Sequence, residues 1–458
     1  MGVVVGTQAR ITYVPEVTRG LTPVSPAMKT LRGTGRNINY KKASLESKEV
    51  STSRQRADVR HGFGRIDGPL NFELSMGVYD DWLAYLMARP NDVSASVTPA
   101  DNTAATAAHH NGWFQPAGAV GVTQNVGVAN RVAATSSAPG TMDFTIANAG
   151  TTSNWIDLGY RPGDWVISSA FASADNNSGT SNTPAEWRIM KLTGTNMTVQ
   201  IPAGMTSAGV DVSGNSTNKV DYKGRKLSIG TTLTTMTIER GFVEPINPLY
   251  QVFPGCGIGA MDLNVTPDDL IGGTFTVLGG LSGVGLSTVK IDNTSSLDAS
   301  PDAAPSNSPF AAFDGAVHTV KSDGTYLSAI VTAINFKVDN QRSLLPVVGQ
   351  RFSGDLYEGV AKITGTITLL LDSRDHLTAF QDESALSTMV LRFNELGTSD
   401  WQSHVFHRVK YLTADIDPPQ NGPVTIQCSF EALEQTFTGN AGTILTRETY
   451  RIQRSTTA

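Results

Sequence analysis

The chain has 458 residues, 40% hydrophobic and only 17% charged, with a formal net charge of −6. This excludes a disordered chain and allows about three domains of ~150 residues. No apolar run reaches about 18 residues, so no membrane-spanning helix is expected.

Met1–Gly6 lacks a basic-then-apolar leader, which predicts no secretory signal. Abundant Gly, Ser, Thr and Asn favour strands joined by turns. Cys256 and Cys428 have no metal-ligand spacing and read as two small buried hydrophobes.

In chain order, Asn37–Tyr40 reads as a strand, followed by a long polar loop over 41–65 carrying Lys41, Lys42, Lys48, Arg54, Arg56, Arg60 and Arg65. Residues 1–70 hold 12 Lys/Arg against 5 Asp/Glu, whereas 231–458 hold 14 against 24. A nucleic-acid surface is one reading. However, Glu46, Glu49 and Asp58 interrupt the run, and no aromatic residues interleave to stack bases. Contact between this loop and an acidic neighbouring subunit, with opposite charges setting the register, is the favoured reading.

Gly62–Leu74 then alternates as a strand and is followed by a short helix whose Trp82, Tyr85 and Leu86 form one apolar face. Residues 91–230 are rich in Ala, Ser, Thr, Asn and Gly, yet contain strand-like Met142–Ile146, Gly163–Ile167 and Trp187–Leu192. An inserted β-domain explains them better than a disordered linker. Strands at Met236–Ile238 and Thr274–Val277 follow, then a polar linker over 292–309.

The remainder repeats the pattern. Gly359–Leu371 aligns without a gap on Gly62–Leu74, Asn335–Val338 on Asn37–Tyr40, and Asp375–Phe380 on Asp81–Leu86. Met389–Leu391 corresponds to Met236–Ile238, and Thr425–Cys428 to Thr274–Val277. The expected fold is mainly β, with two tandem β-sandwich units, each with a short flanking helix. The first copy is discontinuous (1–90 and 231–300), interrupted by the accessory β-domain at 91–230; the second spans 310–458.

Alternation assigns Leu70, Phe72, Phe275, Ile367, Leu369, Ile426 and Cys428 to cores. The opposite faces carry Asn71, Glu73, Thr274, Thr276, Thr366, Thr368, Asp372, Thr425, Gln427 and Glu431, with no Lys or Arg in the set. An ordinary solvated sheet face accounts for them, and so does a wall that passes DNA without gripping it, because cations drive phosphate binding.

Reactive constellations are not evident. His109-His110 lack a third ligand, Asp80-Asp81 read as helix-start acids acting as caps, and Gly279–Gly285 lacks a following Lys-Ser/Thr. The sequence predicts no cofactor, no metal and no enzyme.

Ile11–Glu16, Gly20–Pro23, Leu31–Gly35, Ser47–Val50 and Tyr79–Leu83, with Gly163–Val166 in the insertion, resemble the family of siphophage tail tube proteins. The resemblance implies a virion protein assembled in the host bacterial cytoplasm. It also implies sheets joined into a closed barrel, ring stacking into a helical tube, and passage of double-stranded DNA without specific binding. Tape measure, tail terminator and tail tip proteins are the implied partners. Two copies per chain lead to trimeric, pseudo-hexameric rings, with the ten polar residues facing the lumen, loops 41–65 and 339–358 mediating stacking, and the insertion outside. A carbohydrate-binding or adhesive module is the alternative; it needs Trp113, Trp155, Trp165 and Trp187 exposed together.

Overall fold

A computed structural model describes residues 9–46, 58–89, 126–132, 139–146, 155–171, 176–179, 185–203, 218–242, 248–280, 290–293, 295–321, 324–327, 330–353, 355–372, 374–395, 398–419, 421–439 and 444–455. The chain begins with β1 (Ala9–Pro15), β2 (Lys29–Leu31), β3 (Asn39–Glu46), β4 (Val59–Glu73) and α1 (Asp80–Leu86). Next come β5 (Val126–Val132), β6 (Gly140–Ile146), β7 (Trp165–Ser169), β8 (Trp187–Leu192), β9 (Asn196–Ile201) and β10 (Lys219–Tyr222). They pair in the order β10–β7–β8–β9–β6–β5 as a separate six-stranded sheet. Its own core includes Phe144, Trp155, Tyr160, Trp187 and Tyr222.

Four strands follow: β11 (Arg225–Ser228), β12 (Met236–Phe242), β13 (Leu249–Val265) and β14 (Gly272–Gly279). The last stretch holds β15 (Gly315–Lys321), β16 (Tyr326–Leu327), β17 (Val331–Asp339), β18 (Lys362–Leu370) and α2 (Asp375–Gln381). It ends with β19 (Leu386–Asn394), β20 (Trp401–Asp417), β21 (Thr425–Ala432) and β22 (Tyr450–Arg454).

The pairing order of the main sheet recurs. β3–β4–β14–β13 is followed, antiparallel throughout, by β17–β18–β21–β20. A second layer forms from β2–β1–β12 and the first half of β13, and again from β16–β15–β19 and the first half of β20. Both 17-residue strands therefore pass from one layer to the other. Each bends at a register shift, between Ile258 and Ala260 in β13 and between Tyr411 and Thr413 in β20. A bulge of this kind turns a strand and lets it serve two sheets. Buried Phe72, Phe275, Phe336, Ile367, Phe406 and Phe430 fill the space between the layers.

A close backbone approach accounts for the glycine shared by the Gly62–Leu74 and Gly359–Leu371 motifs. A Cβ on Gly68 would stand 2.0 Å from the Asn37 carbonyl oxygen, and one on Gly365 would stand 2.5 Å from that of Asn335. Asn37 donates its backbone N–H to Pro69 O, and Asn335 lies opposite Thr366, so the same close approach occurs at corresponding positions.

Several details differ from the sequence reading. Gly68 faces Val277, whereas Gly365 faces Phe430 rather than Cys428, so the last strands correspond two residues further along than the composition match suggests. A shift of two preserves the face, which is why the core assignment is unaffected. Within the expected loop 41–65, the described residues Lys41–Glu46 and Val59–Arg65 are strand: β3 and β4 continue as a two-stranded arm to Glu46 and Val59. Its side chains are mostly exposed, so no apolar alternation betrays it. β11, inside the span read as the insertion, pairs with β22 in the main sheet. The 292–309 stretch is tied down by bonds between Asp302 and the Met28–Thr30 backbone, and by fully buried Phe310 beyond it.

Candidate functional site

The eight strands from β3 to β20 form one sheet because β13 pairs with β17, with Ala260 opposite Asp339 and Val265 opposite Ile334. One face belongs to the core. The other carries all ten polar residues singled out from alternation: Asn71, Asp372 and Gln427 are exposed, and Glu73, Thr274, Thr276, Thr366, Thr368, Thr425 and Glu431 partly so. Thr274 Oγ1 donates to Asn71 Oδ1 at 3.0 Å across neighbouring strands. Asp372 stands just beyond the end of β18.

The same face does contain cations, which the sequence set omitted. Lys41 and Arg65 both pair with Asp67, the latter at 2.8 Å; Lys337 pairs with Asp339 at 3.1 Å and Lys362 with Glu431 at 3.9 Å. Asp262, Glu73 and Asp415 add further carboxylates. Partial burial raises the Asp262 carboxyl, with Lys337 opposing; the hydrogen bond to Asp339 holds the Lys337 ammonium above its ordinary range. The face is acidic overall; Lys337 and Lys362 each meet an acid of their own, whereas Lys41 and Arg65 share Asp67.

Both ends of this sheet are open among the described residues. β20 over Leu412–Asp417 pairs only with β21, and Leu412 and Ile416 are exposed there. β3 pairs only with β4. Its arm carries Lys41, Lys42, Arg60 and Arg65, with exposed Leu45 and Val59 towards the tip; Lys48, Arg54 and Arg56 lie outside the described residues. Arg60 sits 3.3 Å from Asp58, and the Lys42 ammonium lies 5.4 Å from the centre of the Tyr40 ring. Such exposed pairs are worth little and leave the cations available to another partner. At the arm's base, Tyr40 stacks on Phe352 at 5.8 Å and Gly64 N donates to Arg351 O. The 339–358 segment thus touches the arm, and its Val348 is fully exposed.

Asp80 and Asp81 are not caps: the helix start has no side-chain cap hydrogen bond. Asp81 accepts from Tyr13 Oη (3.1 Å) and Lys29 Nζ (2.7 Å), and Asp80 pairs with Arg454 at 2.6 Å. They tie α1 to the first and last strands. Burial pushes the Asp80 carboxyl up to about 6, with Arg454 opposing.

A second constellation, invisible in the sequence, joins the six-stranded sheet to the β20–β22 layer. Arg451 donates to Asp164 Oδ2 at 2.7 Å and to both Glu448 oxygens at 2.6 and 2.8 Å. Arg161 lies 3.4 Å from Glu448, and Lys226 Nζ donates to Gly159 O at 2.8 Å. All five charged side chains are buried. Burial alone would raise the Glu448 carboxyl, but Arg451, Arg161 and Lys226 outweigh it and hold it well below the usual range. Burial lowers the nearby His407 to about 3, which keeps it neutral. Gln453 completes the seam by bonding both the N–H and the C=O of Trp165 (2.9 and 3.0 Å), as a neighbouring strand would.

An adhesive aromatic platform is not what the tryptophans build. Trp155 and Trp187 are fully buried, and Trp165 has the Arg392 guanidinium 4.2 Å from its ring centre; Trp113 lies outside the described residues. Among the described residues, no group of His, Cys, Asp and Glu could hold a metal ion, and Cys256 and Cys428 are buried free thiols. What the site offers is a long polar sheet face with two unpaired edges.

A family model described as phage tail tube protein matches residues 6–441. The chain belongs to the phage tail tube protein family. No curated protein matches it. As a tail tube protein it is a structural component of the virion tail and not an enzyme. Membership implies that the chain polymerises with copies of itself within the phage tail.

Proposed function

We propose that the chain is a duplicated tube unit, with copies at 1–90 plus 231–300 and at 310–458, and that three chains close a pseudo-hexameric ring of the siphophage type. The observation that carries this reading is the β13–β17 junction. It joins the end of the first four-stranded run to the start of the second, and it leaves an equivalent pair of edges, β20 and β3, at the two ends of the chain. A head-to-tail contact that repeats under rotation closes a ring and removes every open edge.

The junction also supplies the register between chains. β13 Asp262 lies opposite β17 Lys337 and Ala260 opposite Asp339. Matching bulge to bulge and glycine to glycine carries these pairs to Asp415 opposite Asn39, and Thr413 opposite Lys41, of the next chain. The acidic face turns inward, where it gives DNA and the tape measure protein a wall whose carboxylates outnumber its cations, so that phosphate is weakly held. Arms and 339–358 segments stack ring on ring, and the insertion lies outside. Tail terminator and tail tip proteins cap the ends, and the tube conducts the genome into the host.

Paired cysteines test this. In assembled protein, a variant carrying Asn39→Cys with Asp415→Cys forms disulfides between chains and runs as dimers and closed trimers on non-reducing gels. The mismatched pair Asn39→Cys with Thr413→Cys stays monomeric. Equal cross-linking of both pairs, or none in assembled tubes, refutes the register.

A further inference from the structure

A pocket of about 270 Å³ opens where the six-stranded sheet meets β15 and β16. Trp165, Pro202 and Tyr326 form apolar walls, and Arg188, Gln200 and His318 provide the polar groups. Arg188 is 98% buried, its relative exposure being 2%. Its Nη2 donates to Gln200 Oε1 and to Met190 Sδ (3.2 Å), but Nε and Nη1 have no partner, and neither does His318 Nδ1. The guanidinium carbon lies 5.4 Å from the Tyr326 ring centre, and the His318 ring centre is 6.0 Å from the same ring.

A buried guanidinium with unmet donors is costly, and a charge normally stays buried only when paired. Glu186, the carboxylate that also lines the pocket, is already paired with Arg392. Burial holds His318 neutral, well below its ordinary range, and lowers Arg188 only to about 10, so the pocket carries one uncompensated positive charge at neutral pH. Converging donors in a mostly apolar hollow are the usual composition of a small-molecule site. A cavity of ~150 Å³ is enough for benzene, so this volume suits about ten non-hydrogen atoms.

We propose that this pocket binds a small monocarboxylate with a flat apolar body, its carboxylate on the free N–H groups of Arg188 and its body between Trp165 and Tyr326. The His318 ring can add an N–H to the same oxygen through its Nδ1 tautomer. Ligation would complete a site on the insertion, and the assignment stands on this geometry whether or not the tube reading holds.

Fluorine NMR on the full chain tests it, with 4-fluorobenzoate as probe and 4-fluorobenzamide as its uncharged isostere. The acid is expected to bind saturably and at least tenfold more tightly than the amide. Arg188→Met should remove that preference, and Ala203→Trp, at the pocket rim, should weaken the acid at least tenfold. If Arg188→Met fails to fold, the acid–amide contrast on the unaltered chain and the Ala203→Trp variant still decide. Equal binding of acid and amide, or no binding of either, overturns the proposal. So does acid binding that vanishes in assembled tubes, because the guanidinium would then serve a carboxylate of a neighbouring copy.

Discussion

Replacing Arg451 with Met should cost the protein about 3–5 kcal/mol, the usual penalty for removing one partner of a buried ion pair. Arg451 bridges Asp164, just ahead of β7 in the six-stranded sheet, to Glu448 ahead of the last strand, and all three side chains are buried. Without it, two carboxylates remain in a closed space with only Arg161 and Lys226 to compensate. Glu448 then loses its strongest cation, and its carboxyl rises from well below the usual range. The penalty should therefore be smaller at pH 4, where the orphaned acids take up protons, than at pH 7. Urea unfolding followed by tryptophan fluorescence would report it, since Trp165 lies at the seam. Adding Asp164→Asn to Arg451→Met should recover part of the loss, because it removes one stranded carboxylate and leaves Glu448 beside Arg161. A loss under about 1 kcal/mol in the single variant, or a double variant no more stable than the single, would refute the view that these pairs hold the six-stranded sheet in place.

Two further outcomes follow from the same geometry. Gly68→Ala and Gly365→Ala should each destabilise by about 1–3 kcal/mol through collision with the carbonyl of Asn37 or Asn335, whereas Gly272→Ala, with nothing within 4 Å, should be near neutral by thermal melting. Asp80 binds its proton more tightly folded, at about 6, than unfolded, where carboxyls titrate near 3.8. Its contribution to stability is thus greatest at low pH and is lost as pH rises from about 4 to about 6. Subtracting the stability–pH curve of Asp80→Asn from that of the unaltered chain should isolate this fall, and a flat difference would contradict it.

The sequence reveals what burial imprints on it. Leu70, Phe72, Ile367 and Ile426 alternate because one side of each strand meets the core, and the Gly68 and Gly365 motifs match because both glycines sit under an approaching carbonyl. The arm was not legible: a strand solvated on both faces, such as Lys41–Glu46, has no period to read. Period two also hides a two-residue slip, which is how Cys428 came to stand where Phe430 belongs. Neither the Arg161–Asp164–Glu448–Arg451 seam nor the Arg188 pocket could be found by pattern. Their members lie on segments far apart in the chain, and a charged residue in isolation looks like an ordinary surface one. The acids at the start of α1 misled for a related reason. Helix-start carboxylates commonly cap, and only the packed structure brings Tyr13, Lys29 and Arg454 to them.

The most direct test of the duplicated-unit account is a cryo-electron microscopy map of tubes assembled from the purified chain, with the subunits counted in one ring. Three chains per ring, with β20 of each hydrogen-bonded to β3 of the next and carboxylates facing the bore, is the expected result. Six chains per ring, or a bore lined by unpaired lysines and arginines, would contradict it.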